Sequence, residues 1–432
     1  MTREDFLKHV GIMGVSVLVL NGCNLFVSKE EVLDSDLMGT IIEKPKIAED
    51  IFGYINRVNG KFDTTLYKQI LGAANEFKEG DKTLNIAAVD TNSRRYAKEL
   101  LANTKIDSLN KNVVLKTNSV SAPKDGEVLL RTIYISLDPY MRGRMSDAES
   151  YADPVKIGDV MVGATVCQVE QSNHPDYQKG EWVLAYTGWQ EYAISNTDGL
   201  MKLGKNPENP SYALGIMGMP GFTAYMGLLD IGEPKQGETV VVAAATGPVG
   251  ATVGQIAKLK GCKVVGVAGG KEKCQHAVEN LGFDACIDHK ANDFAEQLSA
   301  ACNNGIDVYY ENVGGHVFDA VLPLLNTKAR IPLCGLVSQY NATELPSGPD
   351  RLSMLMGHIL KKRIKVQGFI IFDDYAHRYE EFAKDMQTWL SEGKIKYKEH
   401  LEANFENTLN AFNAMLNGEN FGKTVVQVQQ PI

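Results

Sequence analysis

In the stretch AAATGPVG, Gly247 and Gly250 follow an apolar run and precede the helical pattern ATVGQIAKLKG. Glycines at such a turn let the backbone approach a pyrophosphate, whose charge is favoured by the free N–H groups opening the helix. The full G-x-G-x-x-G fingerprint is not present, and an ordinary tight turn would use the same residues. Two flanking elements favour a dinucleotide: the strand GETVVVAAA before the turn and a second strand, KVVGVAGG, after the helix. An acid closing that second strand would bind the ribose 2′-hydroxyl of NAD and repel the extra phosphate of NADP. Gly269 and Gly270 stand there instead, followed by Lys271 and Lys273. The glycines leave room and Lys273 offers countercharge, so the expected cofactor is NADP(H). Lys271 either shares that role or is simply solvated in the first turn of a helix.

The elements that must position this turn follow from composition and pattern. The chain has 432 residues, 44% hydrophobic and 22% charged, enough for two or three domains with a sizeable core. A net charge of −9 supplies no basic face for nucleic acid, which is therefore not an expected partner. The seven cysteines, at 23, 167, 262, 274, 286, 302 and 334, form no C-x-x-C pair and have no histidines at ligand spacing. Neither a metal site nor a disulfide framework is expected, and free thiols in a reducing compartment are.

The chain divides by texture. Residues 29–110 read as a helical, polar appendage, with Leu66, Ile70, Leu71 and Ala74 at helical spacing. From residue 111 to 205, alternating runs such as EVLLRTIYISL and MVGATVCQVEQ separated by turn clusters predict a small antiparallel β-barrel of the GroES-like kind. Between 206 and 369, strands alternate with helices, which predicts an α/β domain with a doubly wound, Rossmann-type parallel sheet. Residues 370–432, with a helix around EEFAKDMQTWLSEGK and a strand KTVVQV, are expected to return to the barrel.

Residues 1–28 form a separate, signal-like or disordered segment. An apolar run from Val10 to Leu20 ends in Gly22-Cys23, like a bacterial lipoprotein signal, and is too short to span a bilayer. Glu4 stands where a twin-arginine signal has its second arginine. A plain buried or frayed helix competes with both export readings. The expected location is the cytoplasm, with a membrane involved only if Cys23 carries a lipid anchor to the envelope.

Two resemblances follow from longer motifs. LGAANEFKEGD, IAAVD and RRYAKELLANTKI resemble the N-terminal region of the ethanolamine ammonia-lyase large subunit, over about sixty residues and none of its catalytic body; no cobalamin chemistry follows. DPYMRGRMSD, MPGFTAYMGLLDIGEPKQGETVVVAAATGPVG, YYENVGG, CGLVSQYN and NFGKTVV together resemble the zinc-independent medium-chain reductases of the leukotriene B4 12-hydroxydehydrogenase and prostaglandin reductase group, from about Val113 to Val428.

That family reduces carbon–carbon double bonds conjugated to a carbonyl, so the resemblance implies a conjugated ketone or aldehyde as substrate, and a homodimer is expected. Hydride at the β-carbon pushes charge onto the carbonyl oxygen, which calls for a donor there and a proton for the α-carbon. A phenol does both without a metal. By resemblance, Tyr340 is the donor or acid, Tyr140 touches substrate, and Tyr151 is a weaker third; each competes with the reading of a core tyrosine. Gly247, Pro248, Val249 and Gly250 are matched to the pyrophosphate and Lys273 to the 2′-phosphate. His289 stands where many relatives have a tyrosine, and a surface histidine is the competing reading. Asn312, then Cys334, Gly335, Leu336, Val337, Ser338 and Tyr340, then Phe369, Ile370 and Ile371, and finally Asn420 fall at the other cofactor contacts; for Asn420 a turn role competes. The chain departs from the family before NVVLKTNSV, where lyase-like sequence replaces a first strand and an R-P-x-G-x-P-like stretch. The alternatives are a zinc-free quinone reductase and an inactive NADPH-binding or envelope-tethered fusion.

Overall fold

The computed structural model describes residues 120–146, 148, 150–342 and 350–432. The chain divides into Met1–Asn112 and Val113–Ile432, and everything described lies in the second unit. The expected helical appendage, the Cys23 signal and all of NVVLKTNSV but its last residue lie outside the described residues.

Strands β1 (Val128–Ser136), β2 (Thr165–Ser172), β3 (Trp182–Ala185), β4 (Tyr192–Ser195) and β5 (Met201–Gly204) come first in the described chain. Next come β6 (Thr239–Ala243), β7 (Lys263–Ala268), β8 (Ala285–Asp288), β9 (Ile306–Tyr310), β10 (Leu325–Leu333) and β11 (Lys365–Gly368), followed by β12 (Glu399–Ala403) and β13 (Lys423–Gln427). The first five and the last two form one sheet in the order β12-β13-β1-β2-β3-β5, with β4 also pairing β1. It is antiparallel except at β12 and β13. The middle six form a second sheet, β11-β10-β9-β6-β7-β8, parallel throughout. The α/β fold with a parallel Rossmann-type sheet and a separate β-sheet domain is thus as the sequence pattern predicts.

The apolar run of β6 suits a strand covered on both faces. Val240 and Val242 pack into one core with the helices Met219–Met226 and Pro248–Leu259, while Val241 and Ala243 enter a second core on the opposite face. Gly254 lets the helix Pro248–Leu259 lie close to the sheet, because a Cβ there would stand 1.9 Å from the Phe283 ring. The helix Tyr379–Ser391 buries Phe382 and Met386 in the first core, beside Phe222 and Tyr225. Gln255 adds two hydrogen bonds, donating to the Lys396 carbonyl at 2.9 Å and accepting its amide at 2.7 Å. Since 371–395 packs in this way, we propose counting the return to the antiparallel sheet from Glu399 and not from residue 370.

Candidate active site

The turn between β6 and the helix Pro248–Leu259 is built by close packing. Ala244 takes a positive φ of 53°, Gly247 caps the helix and Pro248 opens it. A Cβ on Gly250 would lie 2.3 Å from the Ala244 carbonyl oxygen, so only glycine lets the first helical turn sit this close to the strand end. Gly247, Pro248 and Val249 remain partly exposed along the rim. This is a backbone cradle at a helix N-terminus, suited to a pyrophosphate.

At the end of β7, Gly270 has a φ of +96°, and its amide donates to the Asp288 carboxylate at 2.9 Å. Asp288 also accepts the Lys290 amide at 3.0 Å. Its acid therefore shapes the turn from the neighbouring strand, which the sequence alone did not suggest. Gly269 leaves space for two side chains: a Cβ there would come within 3.0 Å of His289 Nε2 and 3.3 Å of Lys290 Cε, so a larger residue would push both aside. Lys273 is half-buried and donates to the Gly418 carbonyl at 2.7 Å. Burial, then the nearby Lys290 ammonium, pull its pKa down. His289 Nδ1 lies 3.2 Å from His316 Nε2, and burial followed by His316 lowers its pKa. Two lysines and an imidazole whose charged form is disfavoured, set around an open turn, would all gain from a dianion, so the residues present fit the 2′-phosphate of NADP(H). Lys290, which ends the run IDHK, was missed by sequence reasoning.

The rim on the far side of β6 hangs on one carboxylate. Glu311 is buried, accepts the Tyr309 hydroxyl at 3.0 Å and the Val313 and Gly314 amides at 2.7 and 2.8 Å, and burial raises its pKa. Its carbonyl takes the Cys334 and Gly335 amides. Asn312 donates to the Ala243 carbonyl at 2.8 Å, at the end of β6. The Ser338 hydroxyl donates to the Val313 carbonyl, and Leu336 is exposed while Val337 is half-exposed. Burial pushes the Cys334 thiol up to about 12. Tyr340 ends this segment, half-buried, its hydroxyl 3.0 Å from where a Cβ on Gly335 would be. Phe369 and Ile371 are buried core side chains, leaving their backbone and the half-exposed Ile370 at the surface. Asn420 donates to the Gly422 carbonyl at 2.9 Å, a turn bond.

The antiparallel sheet contributes the loop after β1. Fully buried Lys423 donates to the Leu137 carbonyl at 2.6 Å and to Asp138 Oδ1 at 2.7 Å, while the Ser136 hydroxyl donates to Oδ2. The Asp138 carbonyl accepts the Met141 amide, which leaves Tyr140 at the head of the short helix Met141–Arg144. Burial, then the Asp138 charge, raise the Tyr140 pKa well above the usual phenol range. Tyr151 and Tyr186 lie within electrostatic reach of Tyr140, and Tyr151 within reach of Tyr340. Burial raises all of them, Tyr186 to about 12. Tyr186, missed by the sequence reading, meets the Phe372 ring edge-on at 6.5 Å. Arg142 Nε donates to Asn341 Oδ1 at 2.8 Å, tying the Tyr140 loop to the residue after Tyr340.

A parallel dinucleotide-type sheet joined to an antiparallel sheet domain is the architecture of a medium-chain dehydrogenase/reductase. Family models agree: "N-terminal domain of oxidoreductase" matches residues 106–203 and "Zinc-binding dehydrogenase" residues 248–390. The NADPH-dependent curcumin reductase of Escherichia coli (strain K12) is 67% identical over 317 residues, 73% of this chain and 92% of the relative. Prostaglandin reductase 1 of Rattus norvegicus is 42% identical over 321 residues, covering 73% and 94%. The crystal structure of CurA in complex with NADPH from Vibrio vulnificus superposes with a TM-score of 0.72 at 69% identity, covering 74% of this chain and 94% of that one. The chain belongs to the curcumin reductase and prostaglandin reductase group of the zinc-independent medium-chain dehydrogenases/reductases.

A third model, the ethanolamine ammonia lyase large subunit, matches residues 62–124 and so overlaps the oxidoreductase match over 106–124. Among the described residues, no group of three or more His, Cys, Asp or Glu could hold a metal ion. Among them, too, no helix is long and apolar enough to cross a membrane.

Proposed function

We propose that this chain reduces the carbon–carbon double bond of α,β-unsaturated ketones or aldehydes, with NADPH as the reductant. The observation that carries the reading is the Arg142 to Asn341 hydrogen bond, which holds the Tyr140 loop against the residue after Tyr340, next to a dinucleotide-type turn that bears lysines in place of an acid. NADPH, when bound, supplies the hydride for the β-carbon. Gly247, Pro248, Val249 and Gly250 would hold its pyrophosphate, and Lys273, Lys290 and His289 its 2′-phosphate. Asn312, the 334–340 segment and the backbone of 369–371 would line the remainder.

Charge gathering on the substrate carbonyl oxygen is stabilised by a hydrogen-bond donor that is already oriented. Tyr340 is the proposed donor and the proton source for the α-carbon, because it ends the 334–340 segment half-buried and a phenol carries its proton at neutral pH; burial, which raises its pKa, favours the hydrogen-bonding role over proton release. Tyr140 would orient the substrate from the other domain, and Tyr151 would border the mouth. Purified full-length protein incubated with NADPH and a panel of enones, enals and quinones tests this. The expected result is loss of NADPH with a product gaining two hydrogens at the double bond. NADPH retained without turnover on any substrate would reduce the protein to a binding module, and faster consumption of quinones would favour a quinone reductase.

A homodimer is part of the proposal. Strand β11 is an edge of the parallel sheet, and Met354, Met356, Leu360 and Val366 are exposed on it and on the preceding helix. Sedimentation of the purified chain as a monomer would remove it. The cytoplasm, where reduced NADP is supplied, is the matching location; acylation of Cys23 would move the protein to the envelope.

A further inference from the structure

Two of the cysteines meet beneath the turn proposed to hold the 2′-phosphate. Cys286 in β8 is paired with Gly266 in β7, and its sulfur lies 3.0 Å from where a Cβ on Gly266 would be. A glycine in mid-strand is otherwise unfavourable, and here it makes room for Ala245, the Phe283 ring and the Cys286 sulfur together. Cys274 lies in the first turns of the helix Lys271–Glu279, its amide bonded to the Gly270 carbonyl and its sulfur 4.0 Å from the Ala268 carbonyl oxygen. Residues 266 and 268 share one face of β7. Cys286 thus stands over position 266 of β7 and Cys274 against the carbonyl of position 268, two residues along the same strand, and the two thiols are close enough to perturb each other's titration. Both residues are only partly buried, unlike Cys167, Cys262 and Cys302.

We infer that Cys274 and Cys286 form a reversible disulfide under peroxide, and that this bond weakens NADPH binding by displacing the helical turn that carries Lys271 and Lys273. The inference rests on the NADPH reading of that turn. Cys274 is the attacking sulfur: it lies in the first turns of a helix, where a thiolate is favoured, and the neighbouring Cys286 thiol lowers its pKa. Its thiolate breaks the O–O bond of hydrogen peroxide, giving a sulfenic acid and one water. The Cys286 sulfur then displaces the sulfenic oxygen as a second water. Two thiols lose two electrons in all, and peroxide gains them. The bond holds the sulfurs about 2 Å apart, which draws the first turn of the helix toward β8. A displacement of that order at a positioned charge weakens NADPH by about tenfold or more.

The test uses the purified full-length chain, first reduced with dithiothreitol and titrated with NADPH and NADH, then treated with hydrogen peroxide and titrated again. Peptide mapping without reductant identifies the linked cysteines. The expected result is a Cys274–Cys286 peptide, NADPH affinity lowered about tenfold and recovery on reduction, with Cys286→Ser binding NADPH like the parent and indifferent to peroxide. Cys274→Ser provides the same control should Cys286→Ser fold poorly. A fully oxidised protein without the linked peptide overturns the inference. So does a linked protein with unchanged affinity, or a loss of affinity that follows Cys334 oxidation instead. Failure of the cofactor reading is seen separately: the reduced protein would ignore NADPH or prefer NADH before any peroxide is added.

Discussion

Replacing Lys423 by methionine isolates the energetic role of the buried pair under the Tyr140 loop. The ammonium is fully buried, the Asp138 side chain is 6% exposed, and the two meet at 2.7 Å. Methionine fills much of the same volume but withdraws both the countercharge of Asp138 and the donor to the Leu137 carbonyl. Asp138 would then keep only the Ser136 hydroxyl among its side-chain partners. Breaking a buried pair from one side costs about 3–5 kcal/mol, because a charge is left unpaired in low dielectric. For a folded unit of this size, that lowers the melting temperature by about 4–7 °C. Removing both charges, in Asp138→Asn/Lys423→Met, should recover at least half of the loss, since the double variant leaves no orphaned ion. Lys179→Met is the surface control: its pair with Glu170 is also short at 2.9 Å, but the lysine side chain is 63% exposed, and about 0–1 kcal/mol is at stake. Scanning calorimetry on the four proteins decides. If Lys423→Met melts like the surface control, or the double variant is no better than the single, the buried pair does not anchor the loop as argued.

Lys273→Ala should weaken NADPH by about ten- to a hundredfold, the range of a charged hydrogen bond, while NADH changes by about twofold or less; equal weakening of both in a fluorescence titration would remove the phosphate assignment. Tyr340→Phe should lower kcat by about a hundredfold with NADPH affinity little changed, and stopped-flow traces showing equal loss of both would take the tyrosine out of the proton step. Burial holds the Glu399 carboxyl above its ordinary value, with Ser211 and Lys423 pulling the other way. An acid whose folded pKa is raised stabilises fully below its unfolded pKa, about 4.3, and loses that contribution as the pH rises through the folded value. Glu399→Gln, which keeps an acceptor for the Ser211 hydroxyl, should therefore raise the melting temperature at neutral pH and not below about pH 4; an equal gain at both ends of the range would contradict the burial argument.

What the sequence disclosed of the fold and site was local. Gly247 and Gly250 mark their turn because neighbouring residues in one chain segment do the packing. The apolar runs of β6 and β7 imply a covered parallel sheet for the same reason. Lys290 and Asp288 escaped because they reach the Gly269–Gly270 turn from the next strand, about twenty positions away. The Lys423 and Asp138 pair spans 285 positions, a separation at which no periodicity carries information. The amphipathic stripe of Tyr379–Ser391 announced a helix without naming its partner, and the partner is the core beside Phe222. Phe369 and Ile371 illustrate a further limit: a motif match identifies a segment, while only packing tells which of its atoms face inward.

The bond from Lys273 to the Gly418 carbonyl bears on how the proposed coenzyme would enter. Gly418 lies in the stretch leading to β13, so this lysine is also a latch between the two halves of the folded unit. If a coenzyme phosphate claims the lysine, as proposed, this bond between the halves is given up, while the Arg142 to Asn341 bond on the other flank is untouched. Kinetics with the reductant entering first and leaving last would be the signature of such a one-sided hinge.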